Sequence, residues 1–304
     1  MKALMRRTLS AIFSKLPAGT STFVYTTLLK ATPLRLLTNR LLLLLLPTMI
    51  SLPEGQLLIN PNDPVISGAL ALDVYEVFEQ KVFRSLINEG DTFLDVGANI
   101  GLYSIIAARH SGTSGKIIAC EPAPENSALL RANINRNGFK TIRVCDCALA
   151  DRDGTMQLYL SDNNKGNHSL LADTVISGSN SINVQVCRGD SLLENEGLNN
   201  IDIIKIDVEG AEPLVLAGLR HTLAQTRLAL LLEFSPGSVR GAGYNPHELL
   251  KNLSNNNFKI FEMNSSEQKL IEIIQPEELI RRLGKDGYSN LLCLKGRELP
   301  ILAT

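Results

Sequence analysis

Residues 91–104 read DTFLDVGANIGLYS, and the fold is decided by how this stretch is read. Phe93, Leu94 and Val96 supply a short buried strand, and Gly97 to Gly101 supply a tight turn. Leu102, Ile105, Ile106 and Ala108 then recur at helical spacing as far as His110. A strand that breaks at glycine and feeds a helix is expected to leave free backbone N–H groups at the helix N-terminus, where a ligand can lie against the chain. Gly97, Asn99 and Gly101 are the candidates for that contact. Asp95, at the end of the strand, is expected to project a carboxylate into the same crevice. A GxxxG turn by itself is a weak signal, because many such turns only pack a helix on a sheet.

The next strand strengthens it. Residues 116–121, KIIACE, read as a buried strand ending in Glu121, 20 residues beyond Gly101 and directly before Pro122. An acid at the end of the second strand of a βαβ unit, at about that spacing, can accept hydrogen bonds from a ribose diol. The alternative is a Glu that caps the helix starting near Pro124, since carboxylates are favoured near helix N-termini. Strand, glycine turn, helix, strand and terminal acid together describe a nucleoside-type cofactor site.

DVGANIG (95–101), EPAPEN (121–126) and KIDVEGAE (205–212) resemble the FkbM-type family of S-adenosylmethionine-dependent, class I methyltransferases. The similarity runs from about Leu52 to Leu294 and takes in GALALDVYE (68–76) and ALADRDGT (148–155). KIDVEGAE is the distinctive piece. The resemblance implies a Rossmann-like, mostly parallel sheet with an antiparallel closing strand and helices on both faces. It further implies S-adenosylmethionine as methyl donor and O-methylation of a hydroxyl on a sugar, glycan, glycolipid or secondary metabolite. Under it, Gly97 and Gly101 admit the methionine part, Asp95 orients its amino group, Glu121 takes the ribose hydroxyls, and Asp146 and Ala148 border the adenine. Transfer from a sulfonium needs chiefly alignment, plus a base for the hydroxyl proton. Asp207 is the first candidate for that base or for orienting the acceptor, Glu209 the second and His168 the third. Asp207, Glu209 and Glu233 are hard oxygen ligands suited to Mg or Ca, so a metal-assisted mechanism stays open, but nothing in the sequence fixes their mutual geometry and no metal is assigned.

With 304 residues, the chain suits one large α/β domain, residues 51–304, behind an N-terminal extension, residues 1–50. Thirty basic against thirty-one acidic residues give a formal charge of -1, and Trp is absent, so nothing favours a nucleic-acid partner. The five cysteines (120, 145, 147, 187 and 293) read as buried thiols in a reducing, cytoplasmic compartment, and CxC at 145–147 is a poor zinc site. Asn-x-Ser sequons at Asn167, Asn252 and Asn264 read as chance matches in a chain without a signal peptide. Residues 1–50 are basic and leucine-rich, and the Leu41–Leu46 run is too short for a membrane span. The extension reads either as a helix packed on the domain or in a homodimer contact, or as a basic segment on the inner face of an anionic membrane.

Along the chain, Leu57–Ile59 reads as a strand, 66–87 as one helix, and 124–137 as a helix ending at Gly138. Tyr75 and Glu76 in the 66–87 helix read either as a core-edge Tyr and a solvated Glu or as one wall of the cofactor crevice. Residues 141–149 read as the third strand, with further strands at 156–160 and 182–186. The polar stretch 161–181, with Asn167, His168 and Ser169, reads as an acceptor-binding loop or a surface insertion. Residues 201–206 form an apolar strand interrupted by Asp202 and Lys205, closed by Asp207 and followed by Glu209 and Glu212. Strand 228–234 carries Glu233, and 246–254 and 276–283 read as helices between closing strands 258–263 and 290–294. Two rivals stand beside the methyltransferase reading. A nicotinamide-dependent oxidoreductase shares the βαβ logic, but the turn lacks GxGxxG. A non-catalytic domain could keep the fold as a binding scaffold.

Overall fold

The structure is a computed structural model that describes residues 46–161, 166, 168–172 and 180–302. Residues 1–45 of the extension, Asn167 and most of the 161–181 stretch lie outside the described residues. No helix among the described residues is long and apolar enough to cross a membrane.

The centre is a sheet of eight strands. Its parallel half contains β3 (Thr92–Val96), β4 (Lys116–Cys120), β5 (Ile142–Cys145), β9 (Ile203–Ile206) and β10 (Leu228–Phe234) in the order β5-β4-β3-β9-β10. On β10 packs antiparallel β13 (Ser289–Lys295), followed by β11 (Lys259–Asn264) and the edge strand β12 (Lys269–Glu272). The order reverses between β3 and β9, and a doubly wound sheet opens its ligand crevice at the carboxyl ends on either side of that reversal. The fold is therefore the expected α/β sheet with an antiparallel closing strand.

Both faces are covered, so the strands read as continuous apolar runs. Alternate residues go to opposite sides: Leu94, Val96, Ile204, Ile206, Leu230 and Leu232 enter one core, while Phe93, Ile117, Ile203, Ala229 and Leu231 enter the other. Helices α2 (Val77–Leu86) and α3 (Leu102–Ser111) cover the second face. Asp95 and Lys205 occupy that same row, as paired neighbours one step from the strand ends. α4 (Pro124–Asn137) follows β4 as expected, with Gly138 in the left-handed conformation at its end.

Three segments depart from expectation. The 66–87 helix is two helices, α1 (Ile66–Ala71) and α2, because Asp73 and Glu76 both take positive φ. The apolar residues Leu70, Val74, Phe78 and Val82 keep a four-residue step across the break, so periodicity hides it. The third strand divides at Asp146: β5 ends at Cys145, and β6 (Cys147–Ala150) joins a separate three-stranded sheet with β8 (Ser181–Arg188) and β7 (Gly154–Tyr159). β5 can follow β4 only to Cys120, beyond which Pro122 has no N–H to continue the ladder. Lastly, the strand at 57–59 is half of a hairpin, β1 (Met49–Leu52) with β2 (Gly55–Leu58), so the residue-50 boundary falls inside β1.

Candidate active site

The turn between β3 and α3 is built by backbone. Gly97 has φ +82, and a Cβ there would stand 2.0 Å from the Asp207 carbonyl oxygen, so the close approach of β9 to β3 requires glycine. Gly101 enters α3 in the left-handed conformation, and a Cβ there would press on Leu130 of α4. The N–H groups of the turn itself are taken up inside the protein. The N–H groups of Gly97 and Ala98 both reach the Cys120 carbonyl, and the Asn99 N–H donates to Glu121 Oε2 at 2.8 Å. Buried N–H groups must find acceptors, and the end of β4 supplies them. The other Glu121 oxygen accepts the Ala123 N–H at 2.9 Å. Burial pushes this carboxyl up to about 7, although both backbone hydrogen bonds oppose the rise.

Asp95 is 1 % exposed and faces α3, where Ser104 Oγ donates to it at 2.6 Å. Burial raises its carboxyl to about 6, with Lys205 opposing and Asp207 adding to the rise. Asp146 sits at the tip of β5, its side chain 61 % exposed, accepting hydrogen bonds from Ser127 and from Arg131 of α4. Ala148 is placed differently from expectation. It lies in β6 and packs in the core of the small sheet with Ala123, Leu158 and Val186, because the chain leaves the central sheet at Asp146.

The far side of the crevice is built by side chains. Lys205 Nζ donates to Asp207 Oδ2 at 2.7 Å and lies 4.7 Å from the centre of the Tyr103 ring. Burial opposes its charge, but Asp207, Glu76 and Asp95 outweigh burial and hold the ammonium above the usual lysine range. Glu76, Asp207 and Glu233 each bring a carboxylate oxygen within 4.8 Å of the others. Tyr103 OH donates to Glu76 at 2.7 Å. Burial raises Glu76 to about 7, opposed by Lys205 and reinforced by Asp207. Burial and then Asp207 also push Glu209 and Glu233 well up. Glu76, Glu209 and Glu233 each therefore hold a proton more tightly than an ordinary carboxyl, crowded with Asp207 around one ammonium.

Two rim residues here are strained. Glu76 (φ 45) and Glu209 (φ 54) hold left-handed backbone, as does Asn99 (φ 51) across the crevice, and non-glycine residues in that region gather at functional sites. Glu209 is reached by the polar loop, since Ser169 Oγ donates to its carbonyl at 2.8 Å. The neighbouring His168 Nδ1 accepts the Ser161 N–H at 3.0 Å, which ties that ring nitrogen to the loop. Glu212 turns back on its own loop and accepts the Gly210 N–H at 3.0 Å. The grouping of hard ligands thus includes Glu76 where Glu209 had been considered, and a lysine sits among them. Lys205 was not singled out from the sequence, and Glu76 was considered there only as a residue that closes one wall of the cofactor crevice. A lysine inside a buried parallel strand is itself a signal, because Lys is almost never buried without a partner.

With this geometry in view, the methyltransferase FkbM domain model matches residues 95–260, more than half of the chain. The chain belongs to that family. Methyltransferase sdnD of Sordaria araneosa is 31% identical over 154 residues, which are 41% of this chain and 59% of that one. The 31-O-demethyl-FK506 methyltransferase FkbM of Streptomyces tacrolimicus is 30% identical over 201 residues, 56% of this chain and 75% of that one. Hexuronic acid methyltransferase AglP of Haloferax volcanii is 28% identical over 180 residues, 58% and 68% of the two chains. The match to sdnD therefore spans less than two thirds of that relative. The FkbM domain match begins at Asp95, near the carboxyl end of β3, and covers β4, β9 and β10 whole, so it contains the carboxyl ends of the strands that face the crevice.

Proposed function

We propose that this protein is an S-adenosylmethionine-dependent methyltransferase that methylates a hydroxyl of a small-molecule or glycan acceptor. The observation that carries the reading is the meeting of Asp95, Lys205, Asp207 and Glu76 beside the Gly97 turn, at the point where strand order reverses, in an FkbM-family chain. Relatives named for a 31-O-demethyl substrate and for hexuronic acid support an oxygen acceptor on a metabolite or sugar. Gly97, Asn99 and Gly101 border the methionine end of the donor, and Asp95 fixes the start of α3 beside it. Glu121 takes the ribose hydroxyls with the lone pairs its two N–H donors leave open, and Asp146 lies at the adenine edge. Asp207 is the base or orienting group for the acceptor hydroxyl. Lys205 holds it in place through a 2.7 Å hydrogen bond, and Glu209 and His168 stand behind it.

S-adenosylmethionine supplies an activated methyl group, and the chain supplies alignment and proton removal. Calorimetry with the purified chain should show binding of S-adenosylmethionine and of S-adenosylhomocysteine, weakened in Glu121→Ala by about 1–3 kcal/mol, the scale of a lost charged hydrogen bond. Transfer of tritiated methyl groups to a panel of hydroxylated acceptors should fail in Asp207→Asn. Binding of a nicotinamide dinucleotide in place of the sulfonium would select the oxidoreductase reading. Donor binding without turnover over a broad panel would select the scaffold reading. The reading extends to a cytoplasmic protein whose residues 1–50 contact a second copy or a membrane surface. Vesicle pelleting and sedimentation with and without that segment test it.

A further inference from the structure

The methyl-transfer reading leaves the cysteines unused. Only Cys120 and Cys293 are buried, while Cys145, Cys147 and Cys187 are half-buried, which corrects the expectation of five buried thiols. Four of them form a chain of contacts across two sheets. Cys120 at the end of β4 meets Cys145 and Cys147, and Cys147 Sγ lies 3.4 Å from Cys187 Sγ. In the parallel ladder of β6 and β8, Cys147 stands opposite Gln185 and Leu149 opposite Cys187. The two cysteines are thus two residues out of register, on the same face of neighbouring strands. Because they are partly open to solvent, a small reagent can reach them.

We propose that Cys147 and Cys187 are a redox-active pair that closes a disulfide when it meets a low-molecular-weight disulfide such as oxidised glutathione. The Cys147 thiolate attacks one sulfur of the oxidant and expels a glutathione thiolate. The Cys187 thiolate then attacks the Cys147 sulfur of the mixed disulfide and expels the second. The two protein thiols lose two electrons and two protons, one S–S bond forms, and glutathione disulfide is reduced to two glutathione thiols. Cys147 is the attacking member, since hydrogen bonds from Cys120 and Cys187 hold it well below the ordinary thiol range. Cys187, raised in turn by its contact with Cys147, resolves the mixed disulfide.

Bonded sulfurs lie about 2.05 Å apart, so closure draws the two strands together. Cys147 directly follows Asp146, which is held to α4 by Ser127 and Arg131. The pull is therefore felt at the tip of β5, and on the proposed function it weakens binding of the adenosyl group there.

The full chain, reduced and then equilibrated in mixtures of oxidised and reduced glutathione, is alkylated and mapped by peptide mass spectrometry. The expected result is a cross-linked Cys147–Cys187 peptide, two hydrogens lighter than the reduced pair and reversed by dithiothreitol. It should be absent in Cys147→Ser and Cys187→Ser and kept in Cys293→Ser. Stable glutathione adducts without an internal bond in the unmodified sequence, or a Cys120–Cys145 cross-link in its place, would overturn the proposal without recourse to any variant. Calorimetry should show S-adenosylhomocysteine bound about three-fold more weakly by the oxidised form. Equal affinity in both forms would remove the coupling to the crevice. Failure of both forms to bind would reject the methyl-transfer reading and leave the mapped disulfide standing.

Discussion

The two walls of the crevice are made by different means. On the β3–β4 side, Glu121 and the Gly97–Gly101 turn hold one another through backbone N–H groups, within 25 residues of sequence. On the β9–β10 side, Lys205, Asp207, Glu76 and Glu233 come from three separate stretches and are held by charge. The first wall has each carboxylate oxygen matched to a donor and gains rigidity. The second crowds acids around one ammonium, and its proton occupancy can change. A methyl donor needs the first property and an acceptor hydroxyl the second.

The sharpest attack on the rigid wall is Gly97→Ala. Left-handed strain and the clash with the Asp207 carbonyl should together cost about 2–5 kcal/mol of folding stability, read by urea unfolding. An alanine variant of normal stability would show that the two walls are not in contact there. On the charged wall, Asp207→Asn should lower kcat by about 10²-fold or more while leaving donor affinity within about two-fold. An equal loss in both would place Asp207 with the cofactor instead.

The carboxyl of Glu121 offers a smaller effect. Its pKa rises from 4.5 to about 7 on folding, so the folded chain binds that proton more tightly than the unfolded chain. Stability should then fall as pH rises from about 4.5 to 7, by on the order of 1–3 kcal/mol, and level off above. Unfolding measured from pH 5 to 8 should show this slope flattened in Glu121→Gln. The smallest effect expected is from a chelator. Lys205 already stands 2.7 Å from Asp207 among the clustered acids, so activity should survive EDTA. Loss of activity restored by magnesium would make the second wall a metal site and redraw the contrast.

How legible each part was follows the same division. The βαβ unit was readable because its signals lie close together: an apolar run, glycines at a turn and an acid at the next strand end. Asp95, Glu121 and Asp207 were placed at strand ends that way. Glu76 was assigned to a helix interior, because the apolar step of four continues unbroken through 70–82 while the backbone reverses at Asp73 and Glu76. Ala148 was assigned to the adenine edge, because residues 141–149 look like one strand, although its partner strand runs out at Cys120.

By itself, then, the sequence determined the parallel α/β core, the glycine turn and the acids at the strand ends, since each depends on contacts between near neighbours along the chain. Only the tertiary structure decided that Lys205 is the centre of the charged wall, that Glu76 and Glu233 belong beside it, and that Cys147 faces Cys187. Those pairings join residues that share no local pattern, and they arise only when the strand order and the break at residues 72–76 bring the side chains into one place.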